Sequence, residues 1–257
     1  MNRGDNLSVK SAKRVLEIFE LLANYPEGLT IKEISEQLHL PQSSVFNVVK
    51  TLASEGYLSQ DDRKNYKLGA KLIHIGRSAM DSLDLTRVGT PYLKHLMSYV
   101  QETVFMAVLS QEELFYIAKI DNNRSIRTTA QTGFRRPLYC TGLGKAFLAF
   151  LPSEKRSSIL DKTEFLPITD KTITVRSELE EQLEVFKNQG YSIDDEENEE
   201  GLYCLAAPIF GAGNELMAAI SVAGPKERML TRKGDIASRL LKTAREISNS
   251  IGYKVSG

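Results

Sequence analysis

The sequence predicts an α+β chain in two parts: an N-terminal winged helix-turn-helix, and a larger domain built on a mostly antiparallel sheet. Three observations carry that prediction. Residues 30–50 run helix period, proline turn, helix period; the segment straight after them reads as strand, turn, strand; and the remainder runs strands, helices, strands without βαβ alternation.

In chain order, Val15, Ile18, Phe19 and Leu22 keep helical spacing, with Lys10, Lys13 and Arg14 clustered near the start of that segment. Tyr25, Pro26, Glu27 and Gly28 end it with turn chemistry. Thr30 and Glu33 form a capping box, and Ile31, Ile34 and Leu38 give the new helix one buried face. His39, Leu40 and Pro41 interrupt it, because proline lacks a donor and excludes its predecessor from the α region, yet suits the start of a following helix. That second helix buries Val45, Val48, Val49 and Leu52. Its other face carries Gln42, Ser43, Ser44, Phe46, Asn47 and Lys50, residue types that contact base edges and phosphate from a recognition helix. The same pattern fits a plain helical hairpin in an all-α core. Residues 55–60 and 65–69 then read as two strands around a turn tipped by Arg63 and Lys64, where a wing meets backbone phosphate, with Asp61 and Asp62 diluting the charge. Three helices and a wing in that order favour DNA binding over the hairpin.

Residues 67–83 continue as a helix with Leu72, Ile75, Ala79 and Leu83 along one side, an apolar stripe for a second subunit or for the next domain; His74 is expected at its surface. The predicted boundaries are 1–69 for the winged helix-turn-helix, 70–84 for the linker helix and 85–253 for the second domain. That domain opens with a helix over 87–100. A meander of strands at 102–109, 114–120 and 125–131 follows, then a helix after 133–145 and two more near 152–161 and 177–189, the latter stopped by Gly190. Strands return at 191–195, 202–209 and 216–222, and a helix over 231–247 closes the chain.

Composition narrows the function. The 257 residues, 42% hydrophobic and 26% charged, allow one or two soluble domains with a real core. No apolar run of about 18 residues predicts a membrane span and no apolar segment near Met1 predicts a signal peptide, so the expected location is the cytoplasm. Net charge is zero, which puts any DNA contact on a local patch. Gly142, Gly144 and Lys145 do not make a phosphate loop, because Tyr139 stands where its first glycine is required. They form instead a glycine turn at a helix start, whose free N–H groups favour an anion such as a carboxylate, or serve only the tight turn. The acidic run 194–200 reads as a solvated loop, Asp194 excepted, which ends a strand and points inward. Cys140 and Cys204 have no metal-ligand spacing, and His39, His74 and His95 all lie outside the β-rich core, so neither thiol has a histidine base. The chain is expected to be a binding protein with no cofactor and no metal; a thiol-dependent hydrolase on the α+β domain is the alternative, and an interaction adaptor a further one.

Residues 40–58, 133–149, 190–210 and 219–225 together resemble the IclR family of bacterial transcriptional regulators, in four ordered stretches that span nearly the whole chain from Val9 to Ile251. The resemblance implies a winged helix that reads a palindromic double-stranded operator. It also implies a linker helix that helps dimerise, a GAF-like effector domain that takes a small organic acid, and a homodimer or tetramer, more often a repressor. It places the effector on Gly142, Leu143, Asp194, Cys204, Ser221 and Ala223. Two departures distinguish this chain: Ala223 where a second serine is common, and Tyr139, Phe46 and Asn47 where histidine or arginine is frequent.

Overall fold

The computed structural model describes residues 9–81, 84–122, 124–125 and 128–254, with backbone alone across 76–81. The chain falls into two compact units, Met1–Leu83 and Asp84–Gly257.

In the first unit, α1 (Lys10–Leu22), α2 (Ile31–Leu38) and α3 (Gln42–Ser54) pack around Ile18, Leu22, Ile34, Val45, Val49 and Leu52. The capping box forms as its residue types require: Thr30 N–H donates to Glu33 Oε2 at 2.8 Å and Glu33 N–H to Thr30 Oγ1 at 3.3 Å. His39 ends α2 in the left-handed region at φ 52°, and Pro41 precedes α3. Strands β1 (Leu58–Gln60) and β2 (Tyr66–Leu68) pair antiparallel, and Leu58 and Tyr66 join the helical core. At the wing tip Asp61 Oδ1 accepts from the N–H groups of Arg63 (3.0 Å) and Asn65 (2.9 Å), so this carboxylate is spent on shaping the turn. Helix α4 (Ala70–Asp81) follows; Ile73 and Ile75 are exposed, as is His74, while Ala79 and Leu83 of the expected stripe lie outside the described side chains.

The second unit begins with α5 (Leu85–Val100), capped by Asp84, whose side chain accepts from Arg87 N–H. Its strands are β3 (Thr103–Ser110), β4 (Glu113–Ile120), β5 (Arg135–Arg136), β6 (Ser192–Asp195), β7 (Leu202–Phe210) and β8 (Leu216–Pro225), in the sheet order β5-β4-β3-β8-β7-β6 with every pairing antiparallel. Helices α6 (Gly142–Phe150), α7 (Ser153–Asp161) and α8 (Arg176–Gln189) cover one face, contributing Phe147, Ile159, Leu160, Leu179, Leu183 and Phe186 to its core. α5, the short α9 (Lys226–Thr231) and α10 (Lys233–Ser250) cover the other, contributing Leu93, Leu96, Met229, Ile236, Leu240 and Ile247. With both faces covered, β7 and β8 are buried along nearly their whole length and read as continuous apolar runs.

Two expectations are corrected. The strand expected at 125–131 is not present at 125 or 128–131, while 126 and 127 lie outside the described residues. The place beside β4 is taken by 133–136, where Gly133 N–H donates to Tyr116 O (2.8 Å) and Tyr116 N–H to Phe134 O (3.1 Å). The closing helix, expected from 231, is two helices that start at Lys226, directly after Pro225 breaks β8.

Candidate functional site

The polar face expected to read DNA divides in two. Phe46 and Lys50 of α3 line one groove with Thr30, Lys32 and the wing residues Arg63, Lys64 and Tyr66. Lys50 Nζ sits 5.9 Å from the Phe46 ring centroid and 6.0 Å from that of Tyr66, a cation held by two rings at the groove wall. Lys64 adopts φ 66°, which turns the chain at the tip. Asn47 lies on the opposite flank of α3, beside Ser11, Ala12 and Val15 of α1. Gln42 and Ser43 are exposed at the start of α3, and Ser44 Oγ accepts from Arg14 Nη1 at 2.8 Å. That last bond ties α1 to the recognition helix, and only the basic cluster near the start of α1 hinted at it.

The six residues expected to hold an effector come together in one small cavity. Its floor follows from the sheet register. Asp194, Cys204, Ala223 and Thr103 form one row across β6, β7, β8 and β3; Ser192, Ala206, Ser221 and Phe105 form the next row on the same face. The ten-residue spacing of Asp194 and Cys204 is thus a cross-strand pair. Gly142 and Leu143 enter from above at the start of α6, where Thr141 Oγ1 accepts from Gly144 N–H at 3.1 Å and the Gly142 and Leu143 N–H groups precede any intrahelical acceptor. Glycine is required at 142 because a Cβ there would stand 2.7 Å from Cys204 Sγ. Ser192 Oγ donates to Gly142 O at 2.7 Å, fastening the helix start to the strand that carries Asp194.

Asp194 is 2% exposed, and its Oδ1 accepts from the N–H groups of Glu197 (2.9 Å) and Asn198 (3.4 Å). Burial pushes its carboxyl up to about 7, against the pull of Lys145. Ser221 Oγ is buried without an oxygen or nitrogen partner among the described residues, and its one side-chain neighbour in hydrogen-bond reach is the weakly bonding Cys204 thiol. Phe105 and Tyr116 meet edge to face at 5.1 Å and form an aromatic wall, and burial pushes the Tyr116 hydroxyl up, so it stays a neutral donor.

In the first turn of α6 Lys145, with 0% exposure, donates to Glu197 and, at 3.0 Å, to Gln182 Oε1. Its charge is consumed by Glu197, the one member of the acidic run besides Asp194 that is fully buried. By sequence Glu197 belongs to a solvated acidic loop, and its burial corrects that expectation. A glutamate three residues after an inward aspartate was the only signal against that. Tyr139 points away from the cavity: its hydroxyl donates to Leu166 O at 2.7 Å and its ring packs on Phe165. Burial pushes both thiols, Cys140 and Cys204, up to about 12, which keeps them protonated and poorly nucleophilic. Arg136, Thr128 and Asn198 also line the cavity and were not expected there.

Residues 11–62 match the model of the IclR helix-turn-helix domain, and residues 77–249 match that of the bacterial transcriptional regulator IclR C-terminal domain. The HTH-type transcriptional regulator KdgR of Dickeya chrysanthemi is 34% identical over 96% of this chain and 81% of its own length. The transcriptional repressor IclR of Escherichia coli K12 is 33% identical over 95% of this chain and 90% of its own. Among solved structures, Pseudomonas aeruginosa HmgR superposes with a TM-score of 0.82 at 27% identity, covering 96% of this chain and all of that one (100%). With a helix-turn-helix unit at one end, an α+β effector-binding domain at the other, and both domain models matched in order, the chain belongs to the IclR family of bacterial transcriptional regulators.

Proposed function

We propose that the chain is a homo-oligomeric, cytoplasmic repressor in which residues 1–69 hold a palindromic double-stranded operator, 70–84 link and help pair the subunits, and 85–253 bind a small carboxylate that changes operator affinity. The observation that carries the ligand half is the convergence of Gly142, Leu143, Asp194, Cys204, Ser221 and Ala223, from separate elements, on one cavity at a helix N-terminus. Free first-turn N–H groups and a buried hydroxyl without an oxygen or nitrogen partner among the described residues favour an anion with further oxygen atoms.

The DNA half is supported by the groove of Phe46, Lys50, Arg63 and Lys64, with Gln42, Ser43, Ser44 and Asn47 as further base or phosphate contacts. Ile73 at 74% and Ile75 at 44% exposure support a paired α4. Repressor is the word in the name of the Escherichia coli relative. None of the helices among the described residues is long and apolar enough to cross a membrane. The buried, protonated thiols speak for binding rather than turnover. Ligand control requires that the acid favour one arrangement of the paired winged helices over another.

A thermal-shift screen of keto, sugar and aromatic acids, followed by mobility shifts on DNA upstream of its own gene, tests the reading. An acid that raises the melting temperature and releases a protected palindrome is expected. Cys204→Ser should change the ligand response and leave operator binding intact; loss of a measurable hydrolytic turnover in that variant would favour the thiol hydrolase instead.

A further inference from the structure

A second cavity lies at the other end of helix α6. That helix starts at Gly142, on the cavity already described, and ends at Phe150, about 12 Å further along its axis. There the turn into α7 and the hairpin between β7 and β8 enclose about 560 Å³, a volume suited to a small molecule and far larger than that of the first cavity.

Its inner wall is aromatic. Phe150 and Phe210 meet edge to face with ring centroids 6.0 Å apart, Phe210 continues to Tyr253 at 5.7 Å, and Leu151 and Leu216 complete the apolar surface. Both phenylalanines are only half-buried, and a flat ligand laid on them removes ring surface from water. The rim has the opposite character. Lys155 and Arg156 of α7 and Lys187 of α8 line it, against one acid, Glu215. Arg156 is paired with Glu184 at 3.1 Å, whereas neither lysine has an ion-pair partner among the described residues. No side chain caps α7 among the described residues, so its first N–H groups add to the positive end of the cavity.

We propose that this cavity is a second ligand site and that it takes a flat aromatic anion, with the ring system on Phe150 and Phe210 and the carboxylate or phosphate between Lys155 and Lys187. A neutral aromatic leaves the two cations unanswered, and a small aliphatic acid leaves the rings uncovered. The first cavity, with about 30 Å³ of free space, has no room for a fused ring system, so the two sites sort ligands by size. The assignment does not depend on the reading of the first cavity.

The test is calorimetric titration of the full chain with 2-naphthoate, 2-naphthyl phosphate and the uncharged 2-naphthamide. Two variants are used: Lys155→Gln combined with Lys187→Gln, and Ser153→Trp, which fills the cavity mouth from an exposed position. Both anions should bind the natural chain at a single site and more tightly than naphthamide, and the tighter of the two identifies the headgroup. The double lysine variant should weaken the anions about 3- to 30-fold, the range of two exposed charge contacts, and leave naphthamide within about twofold. Ser153→Trp should abolish binding of all three, with the melting temperature of each variant within about 2 °C of the natural chain. Absence of saturable binding of either anion up to about 1 mM overturns the site. Naphthoate binding that survives in Ser153→Trp overturns its place in the fold. Equal affinity for naphthamide, or anion affinity within about twofold of the natural chain in the double lysine variant, overturns the charge class. Dissociation of the natural assembly by Ser153→Trp in sedimentation equilibrium would show a second copy of the chain seated in the cavity, which also overturns the proposal.

Discussion

Removing one partner of the Lys145–Glu197 pair should unfold the second unit before it affects anything else. In Glu197→Ala the Lys145 ammonium keeps Gln182 Oε1 at 3.0 Å, the face of Phe186, whose ring centroid is 5.4 Å away, and the nearby Asp194 carboxyl, which burial holds against ionising. With Lys145 at 0% and Glu197 at 4% exposure, neither water nor salt can take over the lost charge. Breaking a buried pair from one side costs about 3–5 kcal/mol, and in a unit of this size each kcal/mol moves the melting temperature by about 2–4 °C. The expected fall is roughly 6–20 °C by differential scanning calorimetry. Lys145→Met combined with Glu197→Met removes both charges while keeping the volume, and should recover most of that loss or exceed the natural stability. A fall below about 2 °C in Glu197→Ala, or a double variant no better than the single one, would refute the claim that the pair is coupled and desolvated.

Asp194 should make stability pH-dependent. Its folded carboxyl holds a proton up to about pH 7, whereas an unfolded aspartate releases it near pH 4, so the folded chain binds more protons between those values. Stability then falls as pH rises through that window, by on the order of 3 kcal/mol, and Asp194→Asn should abolish that fall in urea titrations; parallel curves for the two proteins would contradict it. Gly144→Ala should destabilise the second unit by about 1–3 kcal/mol or more, because its Cβ would fall on the Leu138 backbone, which cannot give way as a flexible side chain can. An unchanged melting temperature would refute the close approach of the α6 start to the Leu138 backbone. Lys50→Ala and Arg63→Ala should each lower the slope of log affinity against log salt by about 0.9 on operator DNA, while Phe46→Ala should leave the slope and alter base preference.

Much of this architecture was legible because local signals agreed with one another. Thr30, Glu33 and Pro41 mark helix ends by chemistry that operates within four residues, and the structure forms the capping box they predict. Asp194 was legible as inward-pointing because it ends a strand. What escaped was decided at a distance. Arg136 is distinguishable from Arg135 only through the register with β4, which depends on a bulge at Ile117 of β4, opposite Met106 and Ala107 of β3, and on the short pairing of β4 with β5. Glu197 is indistinguishable in sequence from its acidic neighbours, and is buried because Lys145, 52 positions earlier in the chain, reaches it. The stretch 125–131 has strand composition, but Gly133 and Phe134 occupy the hydrogen-bonding groups of Tyr116 that such a strand would need.

Strand β6 ends the sheet, four residues long, with one side of its backbone free of any partner strand among the described residues. Such a rim invites another chain to add itself and extend the sheet. Asp194 and Asp195 occupy half of its positions, one turned into the cavity and the other held by Lys226. A carboxylate facing the interior and an ion pair beside it make this rim a poor template for a foreign strand. The inward aspartate and its ion-paired neighbour therefore also disfavour strand addition at this rim, and replacing both with asparagine should raise the tendency of the protein to aggregate.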